Sequence, residues 1–198
     1  MHAVPGHGDD IERVLAGWRD GDARAVDDLF RLVYDELRVM AARHARRMRA
    51  GDSVGPTVLV HEVYLRFADR SAPNVLDRDH FIALASRAMR MVLVDHWRRK
   101  HSRKRSPGAV SSIDIDAVPA PDPMPAVDLL ALDDALVELT HLDARQARVV
   151  ELRFFGGLTL GEIAGMLDVS ERTVKREWQK ARAFLYESIS ASGGAAGG

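Results

Sequence analysis

The chain has 198 residues, 46% of them hydrophobic and 29% charged, with a formal net charge of -1, which suits a soluble globular protein of one or two domains. It contains no Cys, which excludes a disulfide framework and a thiolate metal site. No stretch approaches the roughly 18 consecutive apolar residues of a membrane span, and "MHAVPGHGDD" has neither a basic start nor an apolar run, so no signal peptide is expected and the expected location is the cytoplasm.

The first half reads as helices. Ile11, Val14, Leu15 and Trp18 fall at helix spacing. Val26, Leu29, Phe30, Val33, Leu37, Met40 and Ala41 do the same, after a capping residue at Asp22. A shorter helix starts near Pro56 and buries Leu59, Val63 and Phe67. A long one starts near Asp79 and buries Phe81, Leu84, Ala85, Ala88 and Val92. No run alternates convincingly as a strand would, so the expected class is all-α.

The charge is unevenly placed. From Arg87 to Arg105 the chain carries Arg87, Arg90, Arg98, Arg99, Lys100, Arg103, Lys104 and Arg105, opposed only by Asp95. From Ser106 to Ala135 there is no Lys or Arg, whereas Asp114, Asp116, Asp122, Asp128, Asp133 and Asp134 are present. A basic block followed by an acidic one reads as a polyanion-binding domain and then a solvated connector. "SPGAVSSIDIDAVPAPDPMPA" has no helix or strand period and is read as a flexible linker. The expected organisation is two small helical domains, 9–105 and 128–190, joined by the acidic linker 106–127. The tail 191–198, "SGGAAGG" with one residue before it, is expected to be disordered.

Three capping signals punctuate the second domain: Asp143 before Gln146, Thr159 before Glu162, and Ser170 before Thr173. The first two read as capping boxes. Each cap follows an apolar residue, Leu142, Leu158 or Val169, and Ile163 and Val174 complete hydrophobic staples for the last two. Helices are therefore expected to begin near 144, 160 and 171. Only Asp168 and Val169 separate the second from the third, with Asp168 taking the left-handed conformation. Two short helices across so tight a turn form a helix-turn-helix. On the last helix Val174, Trp178, Ala181 and Leu185 form a core stripe. Glu171, Arg172, Lys175, Arg176 and Gln179 lie opposite, near the helix start that enters the major groove in such motifs. Arg pairs with guanine edges, Gln with adenine and Glu with cytosine, while Lys and Arg also hold phosphate.

"LTLGEIAGMLDVSERTVKREWQKARAFL" resembles the promoter-binding C-terminal domain of bacterial RNA polymerase sigma factors, although the motif alone is shared with many response regulators. "PTVLVHEVYLRFAD" and "FIALASRAMRMVLVDHWRRKHSRKR" resemble the two sigma helices that bind polymerase and the -10 element. Two domains and a linker match the extracytoplasmic-function (ECF) group. "VHEVYLRF", "MRMVLVDHWRRK" and "TVKREWQKARAFLY" look most like its ECF-like subfamily found beside serine/threonine kinases. The resemblance covers roughly residues 10–190.

That resemblance implies roles. Leu59, Glu62, Val63 and Arg66 would dock on core RNA polymerase. The loop "DRSAPNVLDR" would cradle a base flipped from the melted -10 strand, with Asn74 either its reader or a turn residue. Arg87, Arg90, Arg98, Arg99 and Lys100 would track phosphates, giving a steep salt dependence. Trp97 would stack on an exposed base or belong to the core. Glu171, Arg172, Lys175, Arg176 and Gln179 would read the -35 element of promoter DNA. The linker would thread the RNA exit path, its aspartates mimicking RNA charge. The chain departs from the wider group in one place. A D-x-E-D run expected before "LVHEVYL" falls on Gly55, Pro56, Thr57 and Val58, and Thr57 stands where the Glu would be. Phosphorylation of Thr57, or of Ser53 on "GDSVG", would restore negative charge there; a cap or a buried hydroxyl is the alternative role for Thr57. The implied partners are core RNA polymerase, promoter DNA and a serine/threonine kinase or an anti-sigma factor.

Enzyme chemistry finds little support, and no metal or cofactor is expected. "HEVYL" at His61 has Leu65 where a zinc-protease helix needs its second His. His2 and His7 are placed in a loose terminus, and Asp27/Asp28 and Asp35/Glu36 lie on solvated helix faces. A stand-alone helix-turn-helix regulator is the alternative to a sigma factor, and a polymerase-blocking module without DNA binding is a third reading.

Overall fold

The computed structural model describes residues 7–22, 24–47, 54–69, 75–103, 112–113 and 127–194. Among these residues the chain is all-α apart from one short pairing. In order, the helices are α1 (His7–Arg19), α2 (Ala25–Arg47), α3 (Pro56–Ala68), α4 (Arg78–Arg103), α5 (Leu129–Leu142), α6 (Ala144–Val150), α7 (Leu160–Met166) and α8 (Glu171–Gly194). A π-helical segment, Glu151–Phe155, continues directly from α6. β1 (Ser112–Ile113), inside the expected linker, and β2 (Val127–Asp128), across its end, pair antiparallel, Ser112 with Asp128 and Ile113 with Val127. β-branched Ile113 and Val127 suit extended backbone, but two residues are too short to leave a period in the sequence. At the ends, α1 begins at His7 and α8 runs past residue 190 to Gly194, so helix enters both segments read as loose.

The helix starts have local causes. Asp22 accepts from the Arg24 N–H (2.9 Å) just ahead of α2. Gly55 precedes α3 without a side-chain cap, and Pro56 takes the first helical position, where its missing N–H costs nothing. Asp77 caps α4 by accepting from the His80 N–H (2.7 Å), so that helix starts one residue before Asp79.

In the first half, α2 packs on α1 and α3, and α3 packs on α4. Phe30 is the hub, set edge-on to Tyr64, Phe67 and Phe81. Each fully buried side chain of this size stabilises the fold by roughly 1.5–3 kcal/mol relative to exposure. In the second half, α5, α6 and α7 pack around α8.

The halves also pack on each other, because α4 meets both α5 and the π segment. Their buried residues form one continuous cluster. α4 is therefore covered on more than one side. It buries the expected Phe81, Ala85, Ala88 and Val92, and also Ile82, Met89, Leu93, Val94 and Trp97, while the expected Leu84 is only half-buried. A helix apolar around its circumference is one that sits between neighbours.

Candidate nucleic-acid interface

The helix-turn-helix is α7, a short turn and α8. Thr159 and Glu162 close a full capping box. The Thr159 hydroxyl accepts from the Glu162 N–H (3.2 Å), and the Glu162 carboxylate accepts from the Thr159 N–H (2.7 Å) and hydroxyl (2.8 Å). Burial pushes the Glu162 carboxyl up, but the Thr159 bonds and nearby Arg43 outweigh it and hold the group below the ordinary glutamate range. Asp168 forms the turn with φ +50°, and it is the one non-glycine with positive φ among the described residues. Val169 N–H bonds the Ala164 carbonyl (3.0 Å), which ties the turn back to α7. Ser170 then caps α8 by accepting from the Thr173 N–H (3.2 Å).

The cap at Asp143 differs from the expected box. Asp143 accepts from the N–H groups of Arg145 (3.1 Å) and Gln146 (3.0 Å). The Gln146 amide reaches the Asp143 carboxylate (2.7 Å) instead of its backbone, because the Asp143 N–H already bonds the Leu139 carbonyl at the end of α5.

α8 divides as its spacing predicts. Val174, Trp178, Ala181 and Leu185 are buried, and Glu171, Arg172, Lys175, Arg176 and Gln179 are exposed together on the outer face. Reading the sequence alone misses Glu177. It is buried, and its carboxylate accepts from the Arg176 guanidinium (3.1 and 3.3 Å). Arg176 stays largely exposed, so this pair orients the Arg and contributes about 0–1 kcal/mol. Its position next to Trp178, at the edge of the core stripe, is the signal that could have found it.

α4 sorts the basic block. Arg87, Arg98 and Arg99 are exposed, and Arg99 Nε donates to the Asp95 carbonyl (3.1 Å). Arg90 is not a surface cation: it is 8% exposed and bound to Asp133 and Glu151. Trp97 is 1% exposed, so in this conformation it is a core residue with no ring face to stack on a base. Lys100 lies on α4 with its side chain outside the described residues, as do Asn74 and Ser53 altogether.

α3 presents a different face from the expected one. Leu59 and Val63 are core residues, covered completely, and cannot touch another protein while the fold is intact. Glu62 and Arg66 are half-buried, Arg66 being bound to Asp95 (2.5 Å). The apolar residues that α3 offers outward are Val58 (55% exposed) and Leu65 (48%). Apolar residues on both faces of so short a helix hide which face is inside. Thr57 is exposed in the first turn. It shares a groove of about 580 Å³ with Asp27, Phe30, Arg31, Tyr34, Val60, His61 and Tyr64. Tyr64 donates to Asp27 (2.7 Å), and this bond to a carboxylate holds the phenol above its ordinary range.

Among the described residues no helix is long and apolar enough to cross a membrane. A comparison with curated proteins found no match. A family model described as ECF sigma factor matches residues 8–191, nearly the whole length, and the chain therefore belongs to the ECF sigma factor family, alternative sigma factors that direct transcription initiation with core RNA polymerase on promoter DNA.

Proposed function

We propose that this chain divides that work between its halves. Residues 9–105 bind core polymerase and the -10 element, 106–127 connect, and 128–190 read the -35 element through the outer face of α8. The observation that carries the reading is the exposure of Glu171, Arg172, Lys175, Arg176 and Gln179 on one face, directly after a tight left-handed turn at Asp168. Transcription in vitro with purified core polymerase tests it. New start sites that require this chain support the reading. Altered use of another initiator's sites would favour a stand-alone helix-turn-helix regulator, and inhibition alone would favour a polymerase-blocking module.

Control by a serine/threonine kinase is part of the proposal. Thr57 is exposed, follows Pro56 at a helix start without a side-chain cap, and stands where the wider group carries an acid. A phosphate adds about -1.5 to -2 charges, favoured at a helix N-terminus and complementary to a basic polymerase surface. Unmodified chain then binds core polymerase weakly, phosphorylated chain binds it tightly, and Thr57→Ala stays weak after kinase treatment. Equal affinity of all three would reduce Thr57 to a structural residue. Regulation by an anti-sigma factor is the alternative control, and the cytoplasm is the proposed location.

A further inference from the structure

One acid on α8 belongs neither to the exposed face nor to the apolar stripe. Successive residues of an α-helix are rotated by about 100° around its axis. Glu177 therefore falls about 40° from Ala181 and about 60° from Val174, both of which are buried. It is itself only 8% exposed. A carboxylate taken out of water is strongly disfavoured unless a cation and hydrogen bonds go with it. Arg176 supplies both. Its Nε (3.3 Å) and one terminal nitrogen (3.1 Å) donate to the same Glu177 oxygen. Of the cations on the exposed face, Arg176 lies nearest around the axis, about 100° from Glu177, against about 140° for Arg172 and about 160° for Lys175. Among the described residues no carboxylate holds Arg172 or Lys175 in this way.

The pairing decides which edge of the guanidinium is left for a partner. Its N–H donors form two forks, one between Nε and a terminal nitrogen and one between the two terminal nitrogens. Glu177 occupies the first fork. The second stays open, on a side chain that is 63% exposed. Two parallel donors match the N7 and O6 acceptors that guanine presents in the major groove. Phosphate also accepts such a fork, but a phosphate contact tolerates many directions, and an unanchored Lys or Arg makes it equally well. A buried acid that fixes the direction of one Arg is matched to a base edge.

We propose that Glu177 is a positioning residue that aims Arg176 at a guanine of the -35 element, and that the pair sets the specificity at that base pair. The inference rests on the reading of α8 as the helix that enters the promoter. Glu177 touches no DNA; it acts through Arg176. Without it, the long Arg side chain samples several rotamers and divides its contacts between base edges and nearby phosphates. Held at Nε, it enters the groove already directed, and its ordering precedes DNA binding. The preference for guanine rises although no contact is added.

The test is selection of transcribed templates from a duplex pool randomised upstream of a start site, with the full-length chain and saturating core polymerase. Glu177→Gln keeps the shape of the side chain, and Glu177→Leu replaces the acid with an apolar group suited to the core side. Circular dichroism and thermal melts check that both variants fold. The wild type should enrich guanine at one upstream position, and Arg176→Ala should abolish that preference. Each Glu177 variant should weaken it at the same position by about fivefold or more and leave the other positions unchanged. Adding Glu177→Leu to Arg176→Ala should change nothing further. A folded Glu177 variant with the full guanine preference would overturn the proposal, as would an equal loss at every position or a guanine preference that survives Arg176→Ala. Stronger use of every template with unchanged base preferences would reveal an Arg that holds phosphate, and would overturn it as well. A wild type that initiates transcription yet enriches no upstream sequence would overturn the reading of α8 instead.

Discussion

Glu162→Gln isolates the electrostatics of the turn that sets α8 in place. The substitution keeps the shape of the side chain and removes its charge. Glu162 accepts two bonds from Thr159, at 2.7 and 2.8 Å, and sits in the first turn of α7. Charge-assisted bonds are roughly twice as strong as neutral ones, and a net neutral bond contributes about 1 kcal/mol. The helix N-terminus adds about 0.3–1 kcal/mol for the charge. The amide still accepts one bond, so the expected loss is about 1–1.5 kcal/mol at pH 7. For a chain of this length that is a shift of roughly 2–6 °C in Tm. The pH dependence gives the sharper test. The folded carboxyl lies below the ordinary glutamate range. Its contribution is therefore complete above the unfolded value of about 4.3 and is lost as pH falls through the lower folded value. Urea denaturation of both forms at pH 7, 5, 4 and 3 should show a gap that holds down to about pH 5 and then closes. A gap unchanged down to pH 3, or no gap at pH 7, would refute the argument that the charged box stabilises the motif.

Asp168 pays the left-handed backbone with a side chain that tolerates it. Asp168→Gly should leave stability within about 0.5 kcal/mol, whereas Asp168→Val should cost about 1–2 kcal/mol in thermal melts; equal Tm values for all three would remove the strain argument. Trp178→Ala truncates a buried core residue and should cost about 3–5 kcal/mol, against less than about 0.5 for exposed Arg172→Ala, both read by denaturation. Arg176→Ala should weaken binding of a -35 element duplex by about 1–3 kcal/mol if the side chain pairs with a base. Fluorescence anisotropy at fixed salt measures this, and unchanged affinity would place the reading residues elsewhere on α8.

What was legible in the sequence was local chemistry. Asp143, Thr159 and Ser170 mark the starts of α6, α7 and α8 because a cap and its N–H donors lie within three residues. Asp168 is legible for the same reason, since two residues between helices leave one backbone solution. The exposed face of α8 followed from helical spacing. Features set by distant partners were not legible. The acceptors of Arg90 lie 43 and 61 residues away, so nothing near it distinguishes it from Arg87 or Arg98. Trp97 and Ile82 are buried on a helix that packs against α3, α5 and the π segment, contacts no single-helix period reports. The π segment buries four successive residues, Leu152 to Phe155, which ordinary helical spacing would have divided between core and solvent. Leu59 and Val63 were rightly read as core by spacing. The resemblance implies an outward docking role for them that their complete burial does not allow, and the apolar positions α3 leaves exposed are Val58 and Leu65.

Burial divides the basic block of α4, leaving Arg87, Arg98 and Arg99 exposed and covering Arg90. Arg98 is mostly exposed, so its pair with Asp133 is screened over a Debye length of about 8 Å at physiological ionic strength. Arg90 and its two carboxylates are mostly covered, so salt reaches them far less. Raising salt should therefore weaken the phosphate contacts proposed for the exposed Arg87, Arg98 and Arg99 without releasing Arg90 from its carboxylates. The salt dependence of promoter binding should therefore report Arg87, Arg98 and Arg99 and not Arg90, although all four belong to one run of cations.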